Sequence, residues 1–238
     1  MSPLNWFFNN FVFLFQVFSA LVYLHKQRIV HRDVKPDNLL YKYDSSNERR
    51  MIVKLADFGF AITLPSDQDF CCFAPKGAPM FLAPETILEN PIGRPVDMWA
   101  CGVILHILVV GYPPFWHEQS EKMLLAAVRG QYSLQTSCWR KISSSCKNLV
   151  KSLLTVHACS RMTAVEALKH DWIKTFSTAL AAQSHRNSIL VQHVLGHKLK
   201  TTLKSMHSSM KMRTLGVDRV RGKFFPLHHS AHNLLALT

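Results

Sequence analysis

The amino-acid sequence predicts a mainly α-helical fold that contains one small β-hairpin. Apolar residues recur at helical spacing near the N-terminus, two short apolar runs flank a polar stretch at 44–50, and residues 97–110 are almost wholly apolar. The chain has 238 residues, of which 48% are hydrophobic, so it can bury one core.

The first predicted helix leads into a polar motif at 31–38. Its buried face consists of apolar residues at three- and four-residue steps, namely Leu14, Val17, Phe18, Leu21 and Leu24. Residues 1–15 form an atypical start that is rich in Phe and Asn and carries no charge, and it lacks the basic region that opens a signal peptide.

The hairpin comes next. Its strands are predicted at Leu39–Tyr41 and Met51–Leu55, with the polar stretch 44–50 as the loop between them. This hairpin delivers Asp57 beside the loop that carries Asp33.

The remainder of the predicted core is helical. The apolar run at 97–110 predicts a buried central helix, and its fourteen residues are too few to span a bilayer. Thr163 and Glu166 form a predicted capping box at the start of the last helix. The helices predicted after the central one cover 120–129, 143–155 and 163–170.

Two polar motifs carry the predicted chemistry. Residues 31–38 read His-Arg-Asp-Val-Lys-Pro-Asp-Asn, and Asp57-Phe58-Gly59 begins nineteen residues after Asn38. This spacing suits phosphoryl transfer. Asp33 is the candidate base, or the group that orients the acceptor hydroxyl, and Lys35 brings a positive charge to the transferring phosphate. Asn38 and Asp57 offer an amide oxygen and a carboxylate to Mg²⁺, which in turn binds the phosphates of ATP.

Further motifs accompany these two in a recognisable order. They are Tyr23-Leu24-His25, Ala83-Pro84-Glu85, Asp97–Leu105, Gly111–Trp116 and Ala164–Leu168. Over about residues 16–174, the set resembles the calcium/calmodulin-dependent group of serine/threonine kinases, nearest to the type II enzyme and its scaffold relative. The resemblance implies the large C-terminal lobe of a protein kinase, which has an α+β family fold, with the N-terminal lobe absent.

The resemblance also implies structural contacts. Glu85 is expected to pair with Arg161 and thereby to tie the activation segment to the helical base. Asp97 is expected to cap the catalytic loop from below. His31 and Phe58 are expected to pack in the hydrophobic spine.

Three further residues have roles implied by the same resemblance. Gly59 completes the motif that carries Asp57. Arg32 corresponds to the arginine that pairs with an activation-segment phosphate in many kinases. Asp37 lies where the family often has a carboxylate that faces a basic residue of the substrate, and its alternative interpretation is a solvated loop carboxylate.

The chain departs from the family pattern in several places. It contains no Gly-x-Gly, and Lys54 lies too close to Asp57 to be the phosphate-pairing lysine of a small lobe, so we expect it to face solvent. Ala78 replaces a threonine whose hydroxyl normally bonds the catalytic aspartate and lysine, which predicts that Asp33 and Lys35 are less well held. Thr63 and Ser66 are the only hydroxyl residues between Asp57 and Glu85, so activation by a phosphate near Ala78 is not expected.

The C-terminal tail, residues 175–238, is strongly basic. Residues 173–238 hold 10 Lys/Arg and one Asp/Glu, whereas residues 1–172 hold 18 and 14. Within the tail, 188–212 is a candidate autoinhibitory or calmodulin-binding helix, followed by a disordered segment. A non-specific basic helix and a disordered or mistranslated tail are the alternatives. The apolar anchors of the candidate helix are Leu190, Val194, Leu199 and Leu203.

Together these observations predict a protein serine/threonine kinase that uses ATP and Mg²⁺ and acts on protein Ser/Thr hydroxyls, with calmodulin as a candidate partner. No nucleic-acid partner and no membrane span are expected. The six cysteines show no metal spacing, which favours free thiols in a reducing cytoplasm. We expect residues 1–15 to be translated non-coding sequence or an alternative exon, and the truncated chain to be inactive alone. The alternative function is a non-catalytic kinase-like scaffold that binds calmodulin or another protein.

Overall fold

The structure is a computed structural model. It describes residues 3–44 and 47–175, and it gives side-chain environments for 12–41 and 52–175. The tail, with the predicted helix 188–212 and its anchors Leu190, Val194, Leu199 and Leu203, lies outside the described residues.

The described part contains six α-helices and six short strands, with helices in the majority, as predicted. The helices are α1 (Pro3–Lys26), α2 (Pro84–Ile87), α3 (Pro95–Val110), α4 (Ser120–Val128), α5 (Ser144–Leu153) and α6 (Ala164–Lys169). The strands are β1 (Ile29–Val30), β2 (Leu39–Asp44), β3 (Asn47–Leu55), β4 (Ile62–Thr63), β5 (Phe70–Cys71) and β6 (Ile92–Gly93). Four single 3₁₀ turns lie at Pro36–Asn38, Pro79–Phe81, Ser137–Trp139 and Ala158–Ser160.

Helix α1 buries the apolar face that its spacing predicts. Leu14, Val17, Phe18, Leu21 and Leu24 are all buried, and the helix packs against β3, α3 and α6. Two basic residues in its last turn interact favourably with the helix dipole. This packing fixes the point at which the chain enters the 31–38 motif.

The predicted hairpin is present as β2 and β3, which pair antiparallel with Leu39 opposite Leu55. Its strands are longer than predicted, because they run to Asp44 and from Asn47, so most of the expected polar loop is strand. No Gly or Pro interrupts this stretch, which lets the ladder continue. The side chain of Gln16 in α1 accepts the Val53 N–H at 2.9 Å and ties the hairpin to α1.

Helix α3 is the buried centre that the apolar run predicts. Pro95 occupies its first turn, and Gly111 ends it in the left-handed conformation with φ 88°. Gly102 permits a close approach to α5, because a Cβ there would lie 2.9 Å from Leu153 and 2.8 Å from Leu154. The helix that carries Asp97 is therefore firmly packed.

The three later helices lie within the predicted ranges and two of them are capped. The Ser143 hydroxyl accepts the Cys146 N–H at the start of α5. Thr163 and Glu166 form the predicted capping box of α6, with the Thr163 N–H donating to Glu166 at 2.8 Å. All six cysteines are unpaired. No helix of the described part is long and apolar enough to cross a membrane.

Two short ladders position the loops between the hairpin and α3. Strand β1 pairs with β4, which places the residues before the 31–38 motif beside those after Asp57. Strand β5 pairs with β6, and an Asp69–Arg94 ion pair at 3.2 Å lies beside this ladder. The segment 57–85 is therefore attached to the helical body at two separate places.

Candidate active site

Asp97, in the first turn of α3, fixes the backbone of the 31–38 loop. Its carboxylate is 1% exposed and accepts the N–H of His31 at 3.0 Å and the N–H of Arg32 at 2.9 Å. The Nε2 atom of His25 lies 2.9 Å from the same carboxylate. Arg32 has a φ of 66°, and these two hydrogen bonds hold the loop in that left-handed conformation.

Asp33 is buried and accepts three hydrogen bonds. Lys35 donates to Oδ2 at 2.6 Å and the Asn38 amide donates to the same oxygen at 2.9 Å. The backbone N–H of Ala78 donates to Oδ1 at 3.2 Å. Although Ala78 has no hydroxyl, Asp33 is well held, because a backbone amide and Lys35 itself act as donors.

Asn38 is oriented by two hydrogen bonds of its amide nitrogen. The Nδ2 atom donates to the backbone carbonyl of Asp33 at 2.8 Å as well as to the Asp33 carboxylate. Both bonds use the amide nitrogen, so Oδ1 is the side-chain acceptor that remains on Asn38. The Asn38 carbonyl also accepts the Ala56 N–H at 2.8 Å, which links the loop to the residue before Asp57.

Asp57 follows directly after Ala56, whose N–H donates to the Asn38 carbonyl. Its side chain is exposed, its φ is 62°, and Oδ1 accepts the Gly59 N–H at 3.2 Å. Within the described part, no side-chain hydrogen bond joins Asp57 to Asp33, Lys35 or Asn38. The two motifs are connected by the hydrogen bond from the Ala56 N–H to the Asn38 carbonyl and by the packing of His31 against Phe58.

His31 and Phe58 provide that packing. The two rings meet edge to face, with centroids 4.9 Å apart. His31 is fully buried, and its Nε2–H donates to the Ala56 carbonyl at 3.1 Å while its Nδ1 accepts the Asp33 N–H at 3.3 Å. These bonds define the tautomer of His31 and join the two motifs.

Glu85 and Arg161 form a buried two-pronged ion pair. Arg161 donates to the two carboxylate oxygens at 2.7 and 2.9 Å. It also donates to the carbonyls of Thr155, Val156 and Pro95, so all five of its N–H groups have acceptors. This complete set of partners compensates for the desolvation of the buried charge.

Arg32 contacts residues 57–85, the expected activation segment, through backbone carbonyls. It donates to Phe60 at 2.6 Å and to Ala74 at 3.2 Å, and its guanidinium lies 5.5 Å from the centre of the Phe73 ring. Burial lowers the pKa of Arg32, and the nearby Asp97 carboxylate opposes this shift. Backbone carbonyls of this segment thus supply the hydrogen-bond acceptors of Arg32.

Arg28 makes a second set of carbonyl contacts, which the sequence did not predict. It donates to the carbonyls of Leu64, Pro65 and Gln68, and its own carbonyl accepts the Leu64 N–H at 2.9 Å. Its φ is 62°, an uncommon conformation for a residue other than glycine. Carbonyl acceptors leave no mark in a sequence. The contact between His25 and the Asp97 carboxylate was not predicted either, because the two residues lie 72 positions apart.

Two other residues behave as simple surface side chains. Asp37 is exposed beside the Asp33 cluster, and Lys54 is exposed on β3, as its position before Asp57 predicts. Neither forms an ion pair within the described part of the chain.

The donor set fits Mg²⁺. An amide oxygen, as on Asn38, and a carboxylate, as on the exposed Asp57, are the oxygen ligands that this ion prefers. Mg²⁺ commonly keeps several waters and substrate phosphates beside one or two protein ligands. No group of three or more His, Cys, Asp or Glu side chains among the described residues has metal-binding geometry, so a resident all-protein cage is not present there.

Two comparisons with known proteins bear on this geometry. A family model of the protein kinase domain matches residues 10–173. The chain is also similar to the calcium/calmodulin-dependent protein kinase type II subunit delta of Oryctolagus cuniculus, with 43% identity over 171 residues. The similar region covers 72% of this chain and 31% of that relative, so the chain spans less than a third of the relative's length.

Proposed function

Because this chain belongs to the protein kinase domain family, we propose that it carries the catalytic half of a serine/threonine kinase of the calcium/calmodulin-dependent group. The reaction is transfer of the γ-phosphate of ATP to a Ser or Thr hydroxyl of a protein. The observation that supports it best is the buried Asp33, which holds Lys35 and Asn38 within hydrogen-bond distance.

In the proposed mechanism, Asp33 orients the acceptor hydroxyl and takes its proton. Lys35 lies 2.6 Å from the Asp33 carboxylate and would contact the transferring phosphate when ATP is bound. Asn38 and Asp57 would hold Mg²⁺, which supplies charge neutralisation of the phosphates when it is bound. Two hydrogen bonds engage the Asn38 amide nitrogen, which leaves its oxygen as the atom that would bind the ion.

The proposed substrate is a protein segment with a basic residue near the acceptor hydroxyl. Asp37 is exposed two residues after Lys35 and can face such a residue. We also place the protein in the cytoplasm, and we expect no nucleic-acid partner.

We further propose that residues 1–238 alone turn over little substrate. The sequence contains no Gly-x-Gly and no lysine placed to pair the ATP phosphates, which a kinase small lobe provides. A direct test joins a small lobe from a kinase of the same group ahead of residue 16; we call this fusion the completed chain. Phosphorylation of a basic Ser peptide should appear in the completed chain and be negligible for residues 1–238. A folded completed chain that binds ATP yet transfers no phosphate would remove the kinase proposal.

Calmodulin is the proposed regulatory partner of the tail. The support is the basic segment 188–212 with apolar anchors at Leu190, Val194, Leu199 and Leu203. Titration of a 186–213 peptide with calcium-loaded calmodulin tests this. Affinity weaker than about 100 μM, or affinity that ignores calcium, would remove the proposal.

A non-catalytic scaffold is the second candidate function. The observation that favours it is exposed apolar surface around the site: Leu40 is 57% and Phe58 48% exposed. Exposed apolar patches often mark protein interaction sites. An inactive completed chain that still captures a protein partner through these two side chains would support this function instead.

A further inference from the structure

One stretch of the described chain contains basic residues and no acidic ones. Residues 122–165 contain seven Lys/Arg and no Asp/Glu. Arg161 is one of the seven and is buried in its pair with Glu85. Four others cluster in sequence around helix α5, and we call them the α5 basic face: Arg140, Lys141, Lys147 and Lys151.

The fold turns these four side chains away from the core. Helix α5 buries Cys146, Leu149, Val150 and Leu153, so the rest of its circumference is directed outward. Of the basic face, Arg140, Lys141 and Lys151 are exposed and Lys147 is half-buried. None of the four side chains forms an ion pair or hydrogen bond in the described part of the protein.

This arrangement opposes the stability of α5. Lys147 and Lys151 are four residues apart, and like charges at that spacing repel each other on a helix. Arg140 and Lys141 lie three and two residues before the N-cap Ser143. The helix dipole disfavours cations near this end, and the first turn contains no acidic residue. An anionic ligand would relieve both effects at once.

We propose that the α5 basic face binds an acidic segment of a protein partner, an extended stretch rich in Asp and Glu. Alternate side chains of an extended strand lie about 6.6 Å apart. One turn of helix separates Lys147 from Lys151 by about 6 Å. Alternate carboxylates can therefore meet successive lysines, while the exposed hydroxyl of Ser144 offers a further donor.

Two other anionic partners fit the surface less well. Single-stranded nucleic acid needs aromatic platforms for its bases, but Trp139 is fully buried and Tyr132 is half-buried, and these are the only aromatic residues in 122–165. A membrane-surface helix inserts apolar side chains, whereas the outward positions Ser144, Lys147, Asn148 and Lys151 of α5 are all polar.

The test measures binding of a fluorescent peptide of alternating Glu and Ser to the full chain by anisotropy. The test variant is Lys141→Glu/Lys147→Glu/Lys151→Glu. The matched control reverses three exposed lysines elsewhere, Lys26→Glu/Lys54→Glu/Lys169→Glu. Both variants change the net charge equally, and both keep the basic tail, so any contribution of the tail to binding is the same.

We expect the test variant to weaken peptide binding at least tenfold and the control to change it less than threefold, with affinity falling between about 50 and about 200 mM salt. Equal affinities of the two variants, or no binding by the wild-type chain at millimolar peptide, would overturn the proposal. Tighter binding of a DNA duplex or of phosphatidylserine vesicles, dependent on the same three lysines, would overturn it in favour of that ligand. If the test variant does not fold, Lys141→Gln/Lys147→Gln/Lys151→Gln takes its place with the same expectation.

Discussion

Ala78 donates its backbone N–H to the carboxylate of Asp33 across 3.2 Å. The residue that lacks the family's hydroxyl therefore still contacts the proposed base, but with one donor fewer. Lys35 compensates for the missing hydroxyl, because it donates to the other carboxylate oxygen at 2.6 Å. In the proposed mechanism the same lysine also contacts the phosphate during transfer, so one cation would serve two groups.

Restoring a hydroxyl at position 78 should free that lysine. In the completed chain, Ala78→Thr is expected to raise kcat about fivefold, the equivalent of one hydrogen bond of about 1 kcal/mol, at unchanged KM for peptide. Ala78→Val has the same shape without the hydroxyl and is the control. Steady-state kinetics of both variants test this prediction. Equal kcat values would show that the effect at position 78 comes from side-chain shape and not from hydrogen bonding.

The Asp97 carboxylate should contribute strongly to stability. Asp97→Asn replaces one of its two oxygens by a donor, which cannot accept the N–H of His31 or Arg32. We predict a loss of about 2 kcal/mol in the free energy of unfolding, measured by urea denaturation. Asp67→Asn, on an exposed side chain, serves as the control. A loss below about 0.5 kcal/mol would mean that the loop does not depend on this carboxylate.

His106 should make the fold sensitive to mild acid. It is buried among the rings of Tyr112, Tyr132 and Trp139, and burial lowers its pKa to about 4, opposed by its hydrogen bond to the Tyr112 carbonyl. Burial also raises the pKa of Tyr132 to about 12, so that ring stays neutral.

Since the folded pKa of His106 lies below the unfolded value of about 6.5, the unfolded state binds the proton more readily. Stability is therefore fully present above pH 6.5 and is lost as the pH falls towards 4. We predict that His106 accounts for a loss of about 2 kcal/mol between pH 7 and pH 5. Denaturation curves of wild type and His106→Asn at both pH values test this, and parallel losses in the two proteins would contradict it.

Arg28 should hold the first part of the activation segment without supporting the global fold. Arg28→Gly removes its contacts with the carbonyls of Leu64, Pro65 and Gln68 but suits the positive φ, so the melting temperature should stay level or rise. Amides of 62–71 should nevertheless exchange faster with deuterium. Arg28→Lys keeps the charge but lacks the planar donors. Unchanged amide exchange in Arg28→Gly would show that these contacts do not hold the segment.

Local patterns in the sequence predicted much of this fold. The apolar spacing that begins at Leu14 predicted the buried face of α1, because only one side of that helix is buried. The continuous apolar run predicted α3, because that helix is buried on nearly all sides. The capping box at Thr163 followed from two side chains three residues apart. Strand ends at Asp44 and Asn47 were missed, since polar residues can also continue a ladder.

Within the site, the sequence identified the side chains but not their neighbours. The cluster of Asp33, Lys35 and Asn38 is compact because one short loop carries all three. The contacts of Arg28, His25 and the Ala78 amide were not predicted. Each depends on a backbone group, or on a residue distant in the chain, and neither has a characteristic residue type or spacing.

The most direct test of the proposed chemistry is the effect of Asp33→Asn on phosphate transfer by the completed chain. The amide preserves the shape of the side chain and removes the proton acceptor. We predict a fall in kcat of about a thousandfold with the KM for ATP nearly unchanged. If Asp33→Asn retains more than a tenth of the wild-type kcat, Asp33 is not the base and the proposed mechanism is wrong.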